Sequence, residues 1–313
     1  IMMSENKTPE DVIEVPSNVK VLDNAKPDET SAPKAGGPKA AKKLRVGIIG
    51  NNKLARVTDA AFNTKTTERK MIEDIEGLEE LVKWKPAIAV VCMDIPLRKN
   101  DTLDDGNFLN IVNTLVKRAD CGICIRSTLN IETIQRLVMT LTQEVFDTKI
   151  TYMPEMSDCE SIGDMFSPKF TMIGGSEKAV SAFTNIIKHT THFSTQELAI
   201  GTVFEVAFAK LGISGFNAVK QTFFNQFYDT ILDVKSANPM IVRRMIEKSP
   251  DITDNSTLVP TFIRVGADAD LTYKQARSYG GEYLNRDVRM LVGMTDKIPL
   301  VDECVNYKNL EED

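Results

Sequence analysis

Histidine, tryptophan and long apolar runs are scarce in this sequence, and each shortage excludes a class of protein. The 313 residues include 2 His and 1 Trp. No apolar run approaches the ~20 residues that a membrane-spanning helix needs, and the start of the sequence lacks the hydrophobic region of a signal peptide. We therefore expect no membrane partner and a cytoplasmic, intracellular location.

Cysteine occurs in a number and arrangement that argue against disulfides and metal sites. The 5 Cys are scattered, which fits a reducing compartment better than a disulfide framework. Cys121 and Cys124 have the Cys-x-x-Cys spacing, but they enter an apolar segment typical of a buried strand, so we expect them to pack in the core. His189 and His192 lie close together, yet a zinc site needs more ligands. The sequence predicts no metal site.

The charge balance argues against nucleic acid as a partner. The net charge is -6, which disfavours attraction to phosphate backbones, and no cluster of Lys and Arg with interleaved aromatic residues stands out. The 42% hydrophobic and 26% charged residues are typical of a globular protein, and the length allows two packed domains.

The sequence divides into three parts. Residues 1–43 are polar and rich in Pro, Lys, Ala and Gly, so they cannot bury enough apolar area to offset their chain entropy. We expect a disordered tail, or an arm that becomes ordered on another protein. Residues 44–190 carry alternating strand and helix patterns, and residues 191–313 are expected to form a helical domain.

The first strand pattern, residues 44–49, leads into a glycine turn and a helix start, which is where a Rossmann unit holds its phosphate loop. Gly50 and Ala55 fit the first and third positions of the fingerprint, while Asn52 occupies the second. Asparagine tolerates a positive φ, but its side chain would crowd a diphosphate. About 20 residues further on, where an acidic ribose ligand is expected, residues 64–70 offer no convincing candidate.

Strand and helix patterns continue to alternate after this loop. Such alternation predicts a parallel sheet with helices on both faces. The segment between Gly50 and Trp84 is short, so we expect one strand or helix there to be reduced. The patterns are a helix over 71–81, a buried strand over 87–93, a helix over 108–117, a strand over 121–125, helices over 131–142 and 176–189, and then a helical region over 196–211 and 216–234.

Three segments carry recognisable motifs in a fixed order. They are residues 125–129 (Ile-Arg-Ser-Thr-Leu), residues 152–155 (Tyr-Met-Pro-Glu) running to the glycine pair at 174–175, and residues 278–287 (Ser-Tyr-Gly-Gly-Glu-Tyr-Leu-Asn-Arg-Asp). They resemble Lys-Ser-Thr-Val, Asn-Pro-Glu-Phe-Leu-Arg-Glu-Gly...Ile-Gly-Gly and Gly-Phe/Tyr-Gly-Gly-x-Cys-Phe-Pro-Lys-Asp of UDP-glucose dehydrogenases and related nucleotide-sugar dehydrogenases.

The resemblance covers about residues 44–290 and implies a fold. It implies an α/β protein with a Rossmann-like doubly wound parallel sheet, followed by a helical region of the kind that links domains and forms dimers. In that family the chain continues into a second nucleotide-binding domain. Only residues 288–313 follow Asp287, so we expect that domain to be missing.

The same resemblance implies roles for individual residues. Thr128 matches the threonine near the cofactor, Glu155 matches the first glutamate of the Pro-Glu segment, and Asp287 matches the aspartate that supports the nucleophile. The family's second glutamate falls at Cys159 or at Glu160. Cys159 would be a relocated nucleophile, but no lysine or histidine stands beside it to favour the thiolate.

Other family positions hold residues that cannot perform the family's chemistry. Tyr283 takes the place of the cysteine whose thiolate attacks the sugar aldehyde, and a tyrosine cannot form the thioester intermediate. When the family's Glu-x-x-Lys-x-x-x-Asn helix is aligned from Glu197, Ile200 and Phe204 replace the lysine and asparagine that stabilise negative charge. We expect no intact catalytic set and no bound cofactor, or NAD if any, held at Gly50, Asn52, Ala55 and Thr128.

These observations lead to a hypothesis with two alternatives. The leading hypothesis is a catalytically degenerate relative of UDP-glucose dehydrogenase, used for binding or for structural assembly in a larger particle such as a virion. The alternatives are an NAD-dependent nucleotide-sugar dehydrogenase with an altered site, and a nucleotide or nucleotide-sugar sensor without turnover. We expect self-association through residues 196–234, where Phe204, Phe208, Phe223, Phe224 and Phe227 supply apolar surface.

Overall fold

The computed structural model describes residues 43–156, 170–187, 197–246, 248, 279, 282–295 and 297–312. Within them one sheet of seven strands has the order β2-β1-β3-β4-β5-β6-β7. The strands are β1 (Leu44–Ile49), β2 (Thr67–Ile72), β3 (Ile88–Val91), β4 (Gly122–Ile125), β5 (Ile150–Tyr152), β6 (Phe170–Gly175) and β7 (Glu197–Gly201).

Helices connect and cover these strands. The described helices are α1 (Lys53–Ala61), α2 (Leu78–Trp84), α3 (Gly106–Arg118), α4 (Ile131–Thr140), α5 (Gln143–Lys149), α6 (Glu177–Ile187), α7 (Val203–Leu232), α8 (Pro239–Ile246), α9 (Glu282–Met294) and α10 (Pro299–Glu312).

The first five strands are mutually parallel, and β6 pairs antiparallel with β5 and parallel with β7. This mostly parallel sheet confirms the predicted Rossmann-like α/β fold. The seventh strand lies after residue 190, within the part of the sequence that was expected to form a helical domain. Because parallel strands end at the same edge, the loops after β1 to β5 all lie on one side of the sheet.

Two hydrophobic cores lie on the two faces of the sheet. Val46 and Val90 belong to the core that includes α1 and α6, and the neighbouring Ile49 and Val91 belong to the core that includes α3 and α7. These four side chains are at most 1% exposed. Strands covered on both faces are apolar at every position, which is why the apolar segments before Gly50 and Asp94 predict β1 and β3 correctly.

The stretch between α1 and β3 corrects the sequence-based assignment. Residues 71–81 do not form one helix, because β2 ends at Ile72 and α2 begins only at Leu78. β2 is an edge strand that pairs only with β1. Its central residues are partly or fully exposed, and Arg69 is paired with Asp59 of α1. A charged edge strand lacks the apolar signal that marks a buried one.

The predicted helix over 196–211 is also corrected. Its first residues form β7, which pairs in parallel register with β6, and α7 begins only at Val203. A capping box fixes this start. The amide of Glu205 donates to the Thr202 hydroxyl at 3.2 Å, and a Glu205 carboxylate oxygen accepts the Thr202 amide at 2.7 Å. α7 then continues for 30 residues as one helix, not as two.

Close backbone contact holds α7 against the sheet. A Cβ on Gly174 of β6 would lie 2.8 Å from the Thr202 carbonyl oxygen and from the Val203 Cα. Helices α9 and α10 pack on the same long helix, and Arg289 of α9 donates to Asp101 at 2.8 Å. No helix in the described part of the chain has the length and apolarity needed to span a bilayer.

Candidate functional site

A pocket lies where the carboxyl ends of β1, β3, β4 and β5 face α7 and α9. This edge of an open parallel sheet is where α/β proteins bind ligands. The described residues that line the pocket are Asn52, Lys53, Leu54, Met93, Asp94, Ser127, Thr128, Glu155, Met156, Lys210, Ile213, Ser214, Asn217, Gln221, Tyr283, Leu284, Arg286 and Asp287.

The loop between β1 and α1 forms one end of the pocket. Gly50 has φ +135°, and a Cβ there would overlap the carbonyl oxygen of Cys92, so this turn requires glycine. Asn52 is the N-cap of α1 and has an extended backbone with φ -80°. Its Oδ1 accepts the Ala55 amide at 2.8 Å, and its Nδ2 donates to Asp94 Oδ1 at 2.8 Å. The Asn52 side chain therefore occupies the centre of the loop.

An acidic residue does stand where a ribose ligand is expected, which corrects the sequence-based view. Glu73 directly follows β2 and is exposed. In Rossmann proteins the acid that binds ribose hydroxyls lies at this strand end, about 20 residues after the glycine turn. The sequence suggested no such residue because Glu73 fell inside the helix predicted over 71–81 and β2 was not recognised.

Glu155, which follows β5, is held by a buried arginine. Arg126 is 2% exposed, and its guanidinium pairs with the Glu155 carboxylate and donates to the Thr58 hydroxyl at 2.9 Å. The other Glu155 oxygen accepts the Met156 amide at 2.9 Å. The Glu155 carboxylate is thus held in place by an ion pair and by a backbone amide. Thr128 lies beside this group and lines the pocket.

Asp287 is the most buried charge in the pocket wall, with 1% exposure. Its Oδ2 lies 3.1 Å from Lys210 Nζ and accepts the Ser214 hydroxyl at 3.0 Å. Its Oδ1 lies 3.3 Å from Arg286 Nη2, and the other terminal nitrogen of that guanidinium lies 3.9 Å from Asp94. Two carboxylates and two cations thus form a chain from α7 across α9 to the loop after β3.

The positions assigned to the charge-stabilising lysine and asparagine are corrected. Ile200 is in strand β7 and Phe204 is in the first turn of α7, and neither lines the pocket. The residues with the Lys-x-x-x-polar spacing that face the pocket are Lys210 and Ser214. The assignment was wrong because the family helix was aligned from Glu197, which places each of its positions ten residues too early in the sequence.

Sequence reasoning also missed the polar stripe on α7. Lys210, Ser214, Asn217 and Gln221 recur at steps of four, three and four residues, and all line the pocket. This spacing keeps side chains on one helix face. Their recurrence at helical spacing was the available signal.

Tyr283, the residue that the sequence resemblance aligns with a nucleophile, lines the pocket. The Arg286 guanidinium lies over its ring, 5.3 Å from the centroid. The pocket-lining residues include no cysteine. Burial raises the pKa of Cys92 and Cys121 to about 11 and that of Cys124 to about 12, so these thiols stay protonated at neutral pH. Cys159, Glu160 and both histidines lie outside the described residues.

Among the residues that the structure describes, no group of three or more His, Cys, Asp or Glu side chains is arranged to hold a metal ion. The described pocket wall offers hydrogen-bonding side chains and the ion pairs around Asp287 and Glu155.

Solved structures with a similar fold include several dehydrogenases. The UDP-D-ManNAc dehydrogenase of Pyrococcus horikoshii matches with TM-score 0.65 and 14% identity, over 86% of this chain and 69% of that one. The UDP-glucose dehydrogenase of Pyrobaculum islandicum matches with TM-score 0.63 and 14% identity, over 87% and 70%. The 3-hydroxyisobutyrate dehydrogenase of Mycobacterium tuberculosis matches with TM-score 0.61 and 9% identity, over 87% and 95%.

No protein-family model and no curated protein sequence matches this chain. The structural likeness, at 9–15% identity, shows a distant relationship in fold to nucleotide-sugar dehydrogenases. It agrees with the resemblance seen in the three sequence motifs.

Proposed function

We propose that this protein is a non-catalytic relative of the nucleotide-sugar dehydrogenases that uses the dehydrogenase fold for binding or structural assembly. The observation that carries the proposal is Tyr283. It stands in the pocket wall where the family requires a thiolate, and its ring is covered by Arg286. Oxidation of an aldehyde to an acid by the family's route needs a covalent thiohemiacetal, which a phenol does not provide.

The state of the two retained carboxylates supports the same proposal. Glu155 is paired with the buried Arg126, and Asp287 is shared by Lys210, Arg286 and Ser214. Both carboxylates therefore already serve neighbouring side chains. Such networks preserve the shape of a pocket without requiring turnover.

A second candidate function is an NAD-dependent dehydrogenase that carries out a single oxidation. Two observations favour it. Lys210 lies in the pocket, where a cation stabilises a developing alkoxide, and Glu73 stands at the ribose position of the fold. Oxidation of an alcohol to an aldehyde transfers one hydride to NAD and releases one proton, and it needs no covalent intermediate.

An absorbance assay for NADH distinguishes the two. The purified protein is incubated with NAD and, in separate reactions, UDP-glucose, UDP-N-acetylmannosamine and GDP-mannose, the sugars suggested by similar structures. Lys210→Met, purified in the same way, is the control for contaminating enzymes. We expect the same background rate in both proteins.

The outcomes are distinct. NADH formation that depends on Lys210 and stops at one equivalent per sugar would refute the non-catalytic proposal and support the single oxidation. Two equivalents per sugar would show that a nucleophile outside the described residues, such as Cys159, completes the reaction. If calorimetry shows that a sugar nucleotide binds while no NADH forms, the protein would be a nucleotide-sugar sensor without turnover.

A further inference from the structure

We infer that Asn52 and Asp94 are specificity-determining residues that occupy the phosphate loop from within and exclude diphosphates from it. The inference rests on the proposed non-catalytic function, because a working dehydrogenase of this fold would need that loop for its dinucleotide. The closed subsite is the phosphate loop, the side chains of Asn52 and Asp94 close it, and the excluded ligands are diphosphates.

The hydrogen bonds of Asn52 reproduce part of what a phosphate group would do. In a Rossmann loop, phosphate oxygens accept free amides at the first turn of the helix. Here Asn52 Oδ1 accepts the Ala55 amide at 2.8 Å, so one of these donors is already satisfied. The glycine turn before it is intact, since Gly50 keeps φ +135°.

Asp94 supplies the negative charge that a bound phosphate would bring. It follows β3 and accepts a hydrogen bond from Asn52 Nδ2 at 2.8 Å, which places its carboxylate next to the N-cap of α1. A carboxylate is favourable there because the amino end of a helix carries partial positive charge. A diphosphate entering the loop would meet this charge at close range and displace the side-chain pair.

The other charged groups around the loop leave little net positive charge. Arg286 lies 3.9 Å from Asp94 but is closer to Asp287, at 3.3 Å. Lys210 pairs with Asp287 at 3.1 Å, so this group of two carboxylates and two cations is neutral overall. Lys53 also lines the pocket and is the one further cation near α1 among the described lining residues. Diphosphate binding, by contrast, is favoured by an excess of positive charge.

The ribose end of the same site remains in place, which makes the inference testable by gain of binding. Glu73 follows β2 on the edge of the sheet where the loop lies. Removing the charge of Asp94 with the isosteric Asp94→Asn, and removing the side chain of position 52 with Asn52→Gly, should open a site for which both ends already exist.

The experiment is titration calorimetry with NAD, ADP and adenosine on the full chain. Wild type is compared with Asp94→Asn, with Asn52→Gly/Asp94→Asn, and with Asp120→Asn as the matched charge control. Asp120 is fully exposed and precedes β4, at the opposite edge of the sheet. Thermal unfolding of each variant verifies that it is folded.

We expect Asp94→Asn to tighten NAD and ADP binding by about tenfold, since one like charge is removed at short range. The double variant should bind more tightly again. Adenosine titrations should be the same in wild type and Asp94→Asn, because adenosine carries no phosphate. Adding Glu73→Gln to the double variant should weaken NAD by about tenfold through loss of the ribose ligand.

The dependence of binding on salt concentration distinguishes an effect of charge from an effect of side-chain shape. The gap between wild type and Asp94→Asn should narrow as ionic strength rises from about 0.1 M to 1 M, because the screening length falls from about 10 Å to 3 Å. Low-micromolar NAD binding by the wild type would overturn the inference, and so would variants that fold but bind no better than Asp120→Asn. In the second case the non-catalytic proposal still stands on the NADH assay.

Discussion

Replacing Asp287 with asparagine should destabilise the protein more than replacing its lysine partner. Asp287→Asn keeps the shape of the side chain but removes the anion between Lys210 and Arg286. Lys210→Met leaves Asp287 with Arg286 and with the Ser214 hydroxyl at 3.0 Å. The first change leaves Lys210 without its anion and Arg286 with the more distant Asp94 at 3.9 Å, whereas the second leaves the carboxylate with a cation and a hydrogen-bond donor.

The magnitude follows from burial. Asp287 is 1% exposed, and the side chains of Lys210 and Arg286 are 11% and 18% exposed. Removing one partner of a buried pair costs about 3–5 kcal/mol, and the partial exposure of the cations places Asp287→Asn near 3 kcal/mol. Lys210→Met loses one charge-assisted hydrogen bond, about 1.5 kcal/mol. At ~2–4 °C per kcal/mol for a domain of this size, Asp287→Asn should lower Tm by ~6–12 °C.

Urea unfolding followed by circular dichroism measures these differences. The double variant Lys210→Met/Asp287→Asn should be more stable than Asp287→Asn alone, because the lysine no longer lacks its anion. Slopes of the transitions should be unchanged. If Asp287→Asn unfolded at the urea concentration of wild type, or if the double variant were the least stable of the three, the buried ion pairs would not have the role described.

Four further predictions test other parts of the molecule. Iodoacetamide at pH 8 should label none of Cys92, Cys121, Cys124 and Cys304 in the native protein but all 5 cysteines in denaturant, as read by mass spectrometry, and rapid native labelling of Cys92 would contradict this. Because burial raises the pKa of Cys92 and Cys121 to about 11, the unfolded thiols ionise first as pH rises, so stability should fall between about pH 9 and 11. We propose that the exposed Phe208, Phe216 and Phe223 mediate self-association, so Phe223→Asp should lower the mass measured by light scattering. The control Met139→Asp, at an 84% exposed position on α4, should leave the mass unchanged. A wild type that is already monomeric would refute this proposal. Deleting residues 1–42 should leave the urea transition unchanged, and loss of folding would place that segment in the core.

The structure also changes which phenylalanine is the right probe. The sequence grouped Phe223, Phe224 and Phe227 together as interface candidates. Phe224 is 8% exposed, whereas Phe223 is 56% exposed and stacks on Phe227 with ring centroids 5.8 Å apart. A charge at Phe224 would disrupt packing inside one chain and would not report on association.

The fold could be predicted from sequence where both faces of a strand are buried. β1, β3 and β4 read as continuous apolar segments and were assigned correctly. β2 and β7 were missed because each is a sheet edge, with charged or partly exposed residues that carry no apolar period. Missing β2 also hid Glu73, since a residue at a strand end is recognised only when the strand is.

The candidate site could likewise be predicted from the sequence only in part. Asn52 and Thr128 follow predicted strands, so the sequence placed them at the carboxyl ends of the strands, whereas Glu155 was identified through its motif alone. The contacts across the pocket, such as Arg286 with Asp94, join residues far apart in sequence and leave no local pattern. On α7, aligning the family helix from Glu197 placed the lysine position at Ile200, ten residues before Lys210.

The contact at Gly174 has a consequence for how this pocket changes over time. The main chain of β6 touches the main chain at Thr202 and Val203, so a side chain at position 174 would push the start of α7 away from the sheet. Substitutions on the pocket-facing side of α7 therefore act on a wall whose distance from the sheet is set by a backbone contact. In such a scaffold the shape of a pocket and the chemistry of its lining can vary separately.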